Sequence, residues 1–159
     1  MSKFLVTGGA GFIGSHIVEA LVRRKAYVRV LDNFSSGREK NLEDVLGNIE
    51  LLRGDVLQRD TCFKASEGID FILHQAALRS VPKSLNNPKD YNEVNIQGTL
   101  NMLEAAREHK VKGFIFASSS SVYGEALTFP QKETDLPRLI SPYALTKLAG
   151  EYYCRIFAK

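Results

Sequence analysis

The chain has 159 residues, 44% of them hydrophobic and 25% charged. That is the size of one domain with its own core, and the composition excludes both a disordered chain and a membrane protein. Twenty-one basic against eighteen acidic residues leave a net charge of +3, interspersed along the sequence, which is too slight for a nucleic-acid partner yet no obstacle to a small anionic ligand. No apolar run approaches the ~20 residues that span a bilayer, and no signal-peptide pattern opens the chain. Cys62 and Cys154 stand far apart, outside any metal or disulfide pattern, and His16, His74 and His109 form no ligand cluster. A cytoplasmic chain with free thiols and no metal is expected.

The first element is a short apolar run, Phe4-Leu5-Val6, which reads as a strand. It leads through Thr7-Gly8-Gly9-Ala10-Gly11-Phe12-Ile13-Gly14 into an amphipathic run from His16 to Arg24. Gly9, Gly11 and Gly14 fit G-x-G-x-x-G, while Gly8, Gly11 and Gly14 fit G-x-x-G-x-x-G. Glycine turns also join strands to helices for structural reasons alone. In this strand–turn–helix setting they instead predict a pyrophosphate cradle, with helix-opening N–H groups and the positive end of the helix dipole facing the anion.

The second strand, Tyr27-Val28-Arg29-Val30-Leu31, ends at Asp32. A carboxylate at that remove from the last glycine suits an adenosine ribose, accepting from its hydroxyls and repelling a 2′-phosphate, so NAD is expected rather than NADP. Asp32 also opens the turn Asp32-Asn33-Phe34-Ser35-Ser36-Gly37. A short helix is predicted over Arg38–Leu46, ended by Gly47-Asn48, and a third strand over Ile49–Arg53. Asp55 at its end either reaches an adenine amino group or caps a helix formed by the next ten residues. Phe71–Gln75 is the fourth strand; the small Ala76 and Ala77 after it admit a cofactor, or merely pack closely.

From Asp90 to His109 the apolar residues Val94, Leu100, Leu103 and Ala106 mark a helix that Asn95 and Gly98 interrupt. An asparagine on the inner face of such a helix can tie down neighbouring loops. Phe114–Ala117 is the fifth strand, running into the serine-rich Ser118–Gly124. Ser141 is placed as an N-cap and Pro142 as the first residue of a helix running to the C-terminus. Five strands alternating with helices predict an α/β fold: a parallel sheet covered by helices on both faces, in three layers, spanning 1–159 as one domain.

Tyr143 and Lys147, spaced i, i+4, share a helical face. A phenol with a reference pKa of about 10 is a poor base near neutrality, and an ammonium one turn away favours the phenolate. The pair then suits proton transfer, with a hydroxyl of the serine run to share the proton. A Tyr-x-x-x-Lys spacing also arises by chance as an exposed pair; its place after the fifth strand of a nucleotide-binding pattern is what singles it out.

These segments, together with Leu31-Asp32-Asn33, Gly54-Asp55, His74-Gln75-Ala76-Ala77 and Asn95, resemble in order the extended short-chain dehydrogenases/reductases, the nucleotide-sugar epimerases and dehydratases with a Rossmann-type fold. The resemblance implies that Phe12 and Ile13 lie against the pyrophosphate. It places Asp32 and Asn33 on the ribose, Asp55 and Val56 beside adenine, and Gln75, Ala76 and Ala77 along the cofactor channel with Asn95 bracing it. Ser119 matches the catalytic hydroxyl, Tyr143 the base, and Lys147 its partner and a ribose contact. Arg79 stands where UDP-galactose epimerases have a lysine, shares only its charge, and receives no cofactor contact by this route. Ser119-Ser120-Ser121 occupies the place of the Thr-Asp-Glu of sugar 4,6-dehydratases, which argues against dehydration and for a UDP-sugar 4-epimerase acting on UDP-hexose or UDP-N-acetylhexosamine. The other readings are a non-catalytic NAD-binding module and a sugar-uronate epimerase or decarboxylase. The family's substrate lobe is expected to be absent, leaving an exposed sheet edge and apolar face. The helices at Asp90–His109 and Tyr143–Lys159 match those through which the family forms homodimers.

Overall fold

A computed structural model describes residues 1–125 and 129–159. The apolar runs pair as one parallel five-stranded sheet, comprising β1 (Lys3–Thr7), β2 (Tyr27–Asp32), β3 (Glu50–Arg53), β4 (Phe71–His74) and β5 (Gly113–Phe116), in the order β3-β2-β1-β4-β5. The order reverses at β1: successive strands are added toward β3, and the chain then returns to place β4 on the other side. The loops leaving β1 and β4 therefore diverge, and a crevice opens at the carboxyl ends of these two strands, where Thr7 pairs with His74.

Alternate residues of each strand feed two separate cores. On one face Val6, Val28 and Val30 pack with Val18 of α1 (Phe12–Arg23) and with Leu42 and Val45. On the other, Leu5, Leu31 and Ile72 pack with Cys62 and Ala65 of α2 (Arg59–Ser66) and with Met102 and Ala105 of α5 (Gly98–Glu108). Strands buried on both faces lack the alternation of a one-sided sheet and read as continuous apolar runs, as these do. Among the described residues no helix is long and apolar enough to cross a membrane.

Several elements differ from expectation. The helix placed at Arg38–Leu46 is a 3-10 helix over Glu39–Asn48, continuing through the Gly47-Asn48 expected to end it. Its buried residues, Leu42 and Val45, are three apart, the repeat of a 3-10 helix. Asp55 does not cap α2, whose N-cap is Gln58; its Oδ1 accepts from the amide of Leu57 in a turn of its own. A short helix not anticipated, α3 (Val81–Asn86), follows β4, with the Ser80 hydroxyl accepting from the amide of Lys83. The helix expected over Asp90–His109 starts earlier, as α4 (Pro88–Asn92), widens to a π-helical turn over Glu93–Gln97, and continues as α5 to Glu108. Asn95, read as an interruption, sits inside that π turn. The last helix, α6 (Pro142–Phe157), opens as expected: the Ser141 hydroxyl accepts from the amide of Ala144, and Pro142 stands in its first turn.

The π turn is fixed by a buried chain of hydrogen bonds that crosses the crevice floor. The Thr7 hydroxyl accepts from the amide of Ala76 at 3.2 Å and lies 2.7 Å from His74 Nδ1. His74 Nε2 lies 3.1 Å from Thr99 Oγ1, and that hydroxyl donates its one proton to the Asn95 carbonyl at 2.6 Å. Thr99 must therefore accept from the ring, which makes His74 a neutral imidazole protonated on Nε2, with Nδ1 accepting from Thr7. The Asn95 amide completes the chain: Oδ1 accepts from Leu78 N, and Nδ2 donates to Leu78 O and to Thr146 Oγ1. A proton added to Nδ1 would face the Thr7 donor. Complete burial and the Lys147 charge push His74 from 6.5 down to about 3.

Two expectations follow. Ile115, on the outermost described strand β5, points from the sheet face opposite α6 and is 49% exposed, a single apolar side chain at the sheet edge. Ile115→Lys is expected to slow aggregation on gentle warming, followed by light scattering, with the fold retained by circular dichroism. For His74, the native pKa lies below the unfolded one, so its contribution is intact above about 6.5 and is lost as pH falls toward 3. Lowering the pH to 4.5 should cost roughly 2–3 kcal/mol of unfolding free energy through this group. Urea titrations of the parent and of His74→Gln should show the variant's stability declining less steeply between pH 7 and 4.5, whatever its absolute value.

Candidate active site

The crevice at the β1/β4 switch is lined by the glycine turn, by Asp32, Asn33 and Ser35 to Gly37 after β2, and by Asp55 and Val56 after β3. Gln75 to Arg79 after β4, Ala117 and Ser118 after β5, and Tyr143 and Lys147 of α6 complete it. Of the residues singled out in the sequence, Gly8, Gly11, Phe12, Ile13, Gly14, Asp32, Asn33, Asp55, Val56, Gln75, Ala76, Ala77, Tyr143 and Lys147 are all brought to this one cleft. Asn95 lies beneath it, 2% exposed, and acts on it through Leu78. Ser119 lies just outside the lining: its hydroxyl accepts from Ser121 N and bonds to Ser121 Oγ, both at 3.1 Å, while its neighbour Ser118 faces the cleft and is bonded to Glu151.

The glycine turn has the form that close approach requires. Gly8 has φ +66°, and a Cβ there would lie 2.8 Å from Ala76 N; the turn after β1 is thus pressed against the loop after β4. A Cβ on Gly14 would lie 2.2 Å from the Gly8 carbonyl oxygen, so only glycine lets α1 start this near the turn. Gly11 brings no capping side chain, and no acidic residue stands in the first turn of α1. The opening amides of Phe12, Ile13 and Gly14 have no intrahelical acceptor. With the helix dipole behind them they present a row of free donors of the polarity that an anion requires. Phe12 and Ile13 are 71% and 61% exposed, and such apolar side chains at the mouth suit coverage by a ligand.

Asp32, 7% exposed, is fixed by two backbone donors: Ala10 N to Oδ2 at 2.9 Å and Phe34 N to Oδ1 at 2.8 Å. It therefore serves the turn it opens, and each oxygen keeps a lone pair for a hydroxyl from the cleft. Asn33 donates to Asp55 Oδ2 at 2.8 Å and accepts from Ser35 N, which ties the loops after β2 and β3 into one wall.

Tyr143 and Lys147 are not an exposed pair; they are 9% and 4% exposed. Lys147 Nζ donates to the Ala117 carbonyl at 2.8 Å and stands 5.9 Å from the centre of the Tyr143 ring. Burial pushes Lys147 from 10.5 down to about 8, which still leaves an ammonium at neutral pH. Tyr91 of α4 meets the Tyr143 ring edge-on at 6.3 Å, and Thr146 donates to the Tyr143 carbonyl. Thr7, Thr99 and Thr146 were not singled out in the sequence. A threonine ending an otherwise apolar strand, as Thr7 does, is the one signal that pointed to the buried chain.

The arrangement is a dinucleotide cradle with a tyrosine and a lysine at its far end, and the fit to NAD rests on the glycine approach, the free amides and the strand-end carboxylate. Residues 4–159 match the model of the NAD dependent epimerase/dehydratase family. The UDP-glucose 4-epimerase of Halalkalibacterium halodurans is 42% identical over 147 residues, which cover 92% of this chain and 43% of that protein. The UDP-N-acetylglucosamine 4-epimerase of Methanobrevibacter ruminantium, solved with UDP-N-acetylmuramic acid, superposes with a TM-score of 0.93 at 40% identity, covering 98% of this chain and 50% of its own. The UDP-glucose 4-epimerase of Thermus thermophilus, solved with NAD, gives 0.91 at 40% identity, with the same coverages. The chain spans about half the length of the curated relatives it matches. A Rossmann-type sheet, a glycine cradle and a buried tyrosine–lysine pair, matched from end to end by that family, make this chain a member of the NAD dependent epimerase/dehydratase family, with NAD as the family's cofactor.

Proposed function

We propose that this chain carries the cofactor site and the proton-transfer groups of a UDP-sugar 4-epimerase acting on UDP-hexose or UDP-N-acetylhexosamine. The observation that carries this reading is the convergence, in one cleft, of the α1 amides, Asp32 and the buried Tyr143–Lys147 pair. When bound, NAD supplies the acceptor and donor of hydride for oxidation and re-reduction at a sugar carbon.

The chain's own residues do the rest. The amides of Phe12, Ile13 and Gly14 hold the pyrophosphate, and Asp32 with Asn33 holds the adenosine ribose beside Asp55 and Val56. Gln75, Ala76 and Ala77 keep the channel narrow, braced from below by Asn95. Tyr143 takes the proton of the sugar 4-hydroxyl and returns it when the carbon is reduced on its other face. The Lys147 ammonium favours the phenolate, and its N–H groups not given to Ala117 serve a ribose hydroxyl. Ser119 shares the substrate proton. Serines at positions 119–121 in place of carboxylates leave no acid–base pair there for eliminating water, which supports epimerisation over dehydration. A homodimer is part of the proposal: Leu145, Tyr152 and Ile156 are 54%, 54% and 61% exposed along α6, an apolar stripe suited to a second copy.

Calorimetry with NAD⁺ and an epimerase assay with UDP-galactose test the reading. Tyr143→Phe is expected to retain NAD⁺ binding and to lower turnover by roughly a hundredfold or more. Undiminished turnover in that variant would overturn the role of Tyr143, and binding without any turnover in the parent chain would favour a non-catalytic NAD-binding module. For the dimer, Leu145→Glu is expected to shift sedimentation to the monomer; an unchanged dimer would remove α6 from the interface.

A further inference from the structure

Phe116 has no part in the chemistry above, yet its ring meets the groups that fix Lys147. It pairs in register with His74 across β4 and β5, so the two side chains stand on one face of the sheet and their rings stack at 6.1 Å and 23°. The Lys147 ammonium lies 4.9 Å from the centre of the same ring. A Cβ on Gly150 would lie 2.3 Å from Phe116 Cζ, so α6 has a glycine where the edge of the ring must pass. The half-buried ring thus lies between β4 and α6.

A buried ammonium needs a partner. Lys147 has the Ala117 carbonyl; among the described residues no carboxylate pairs with it. The negative faces of aromatic rings are the remaining sources of opposite charge, with Phe116 at 4.9 Å nearer than Tyr143 at 5.9 Å, and such a contact strengthens when desolvated. The titratable groups around it are His74 from β4, neutral and stacked on the ring, and Tyr143 and Glu151 on α6 itself, Glu151 being engaged by Ser118. Tyr91 of α4 stands against Tyr143.

We infer that Phe116 is a positioning residue, whose ring takes the place of a counter-ion and holds the Lys147 ammonium in the cleft beside Tyr143. Its consequence for turnover rests on the proton-transfer reading proposed above; its hold on Lys147 does not.

The test follows the Lys147 pKa by NMR of isotope-labelled lysine Cε, the signal being assigned by its loss in Lys147→Met. Phe116→Leu is expected to lower that pKa by about one unit, a tenfold loss of ammonium relative to amine. Where Phe116→Leu fails to fold, pentafluorophenylalanine at position 116 keeps the shape, inverts the charge distribution of the ring and is expected to give the same fall. An unchanged Lys147 pKa in the folded leucine or fluorinated protein overturns the inference. A fall in pKa in a chain that shows no epimerase activity upholds the role of Phe116 and counts only against the functional reading.

Discussion

The neutral imidazole of His74 is the constraint on which the rest of the site depends. Four parts of the fold must meet at the crevice floor, namely the end of β1, the loop after β4, the helix at Asn95 and the start of α6. Each presents polar groups that are costly to bury unpaired. One ring nitrogen accepts from Thr7 and the other donates to Thr99, so a donor and an acceptor are satisfied at once on opposite sides of a rigid ring. Thr99 passes the direction on to Asn95, and Asn95 divides it between Leu78 and Thr146. Every hydroxyl in the chain has one role forced upon it, which is how a polar network fixes a single arrangement of the loops it joins.

The same floor explains why the lysine sits where stability alone would not put it. Burial holds Lys147 near 8 against an ordinary 10.5, so at neutral pH the fold bears the cost of a desolvated ammonium, and that cost is relieved only as pH climbs past the native value. The Ala117 carbonyl and the ring of Phe116 offset part of it. A group kept charged in such a place, against the energetic grain and next to a tyrosine, is the feature on which the proposed proton transfer rests.

Much of this was legible in the sequence because it is written locally. The glycine turn and the i, i+4 tyrosine and lysine depend on spacing within one or two turns of chain, the carboxylate ending β2 on the span of a single strand–helix–strand unit, and they fall in one cleft. The sheet was legible from continuous apolar runs. What escaped was set by contacts distant in sequence. Leu42 and Val45 fit a 3-10 repeat as well as an α-helical one, so their spacing alone does not decide between them. Asp55 carried two readings; its capping of α2 fails because Gln58 takes that place, and its bond to Asn33 closes the cleft wall. His74 looked like an isolated histidine, since Thr7 and Thr99 lie 67 and 25 residues away from it.

The π turn at Glu93–Gln97 carries a consequence for how this segment tolerates change in length. A π turn holds one residue more than the α-helical turn it replaces, so the helix on its two sides is out of phase with a regular repeat. Loss of any one residue between 93 and 97 would let the segment relax to an unbroken α-helix, a change that local energetics favour. Four α-helical residues turn through nearly the same angle as five in a π turn, so α4 and α5 would keep their relative phase and Tyr91 its place against the Tyr143 ring. What would go is the widening itself, and with it the placement of Asn95, whose side chain holds Leu78 and Thr146. The extra residue thus serves the position of one asparagine, and a deletion here would loosen the floor of the cleft while leaving its helical wall facing the same way.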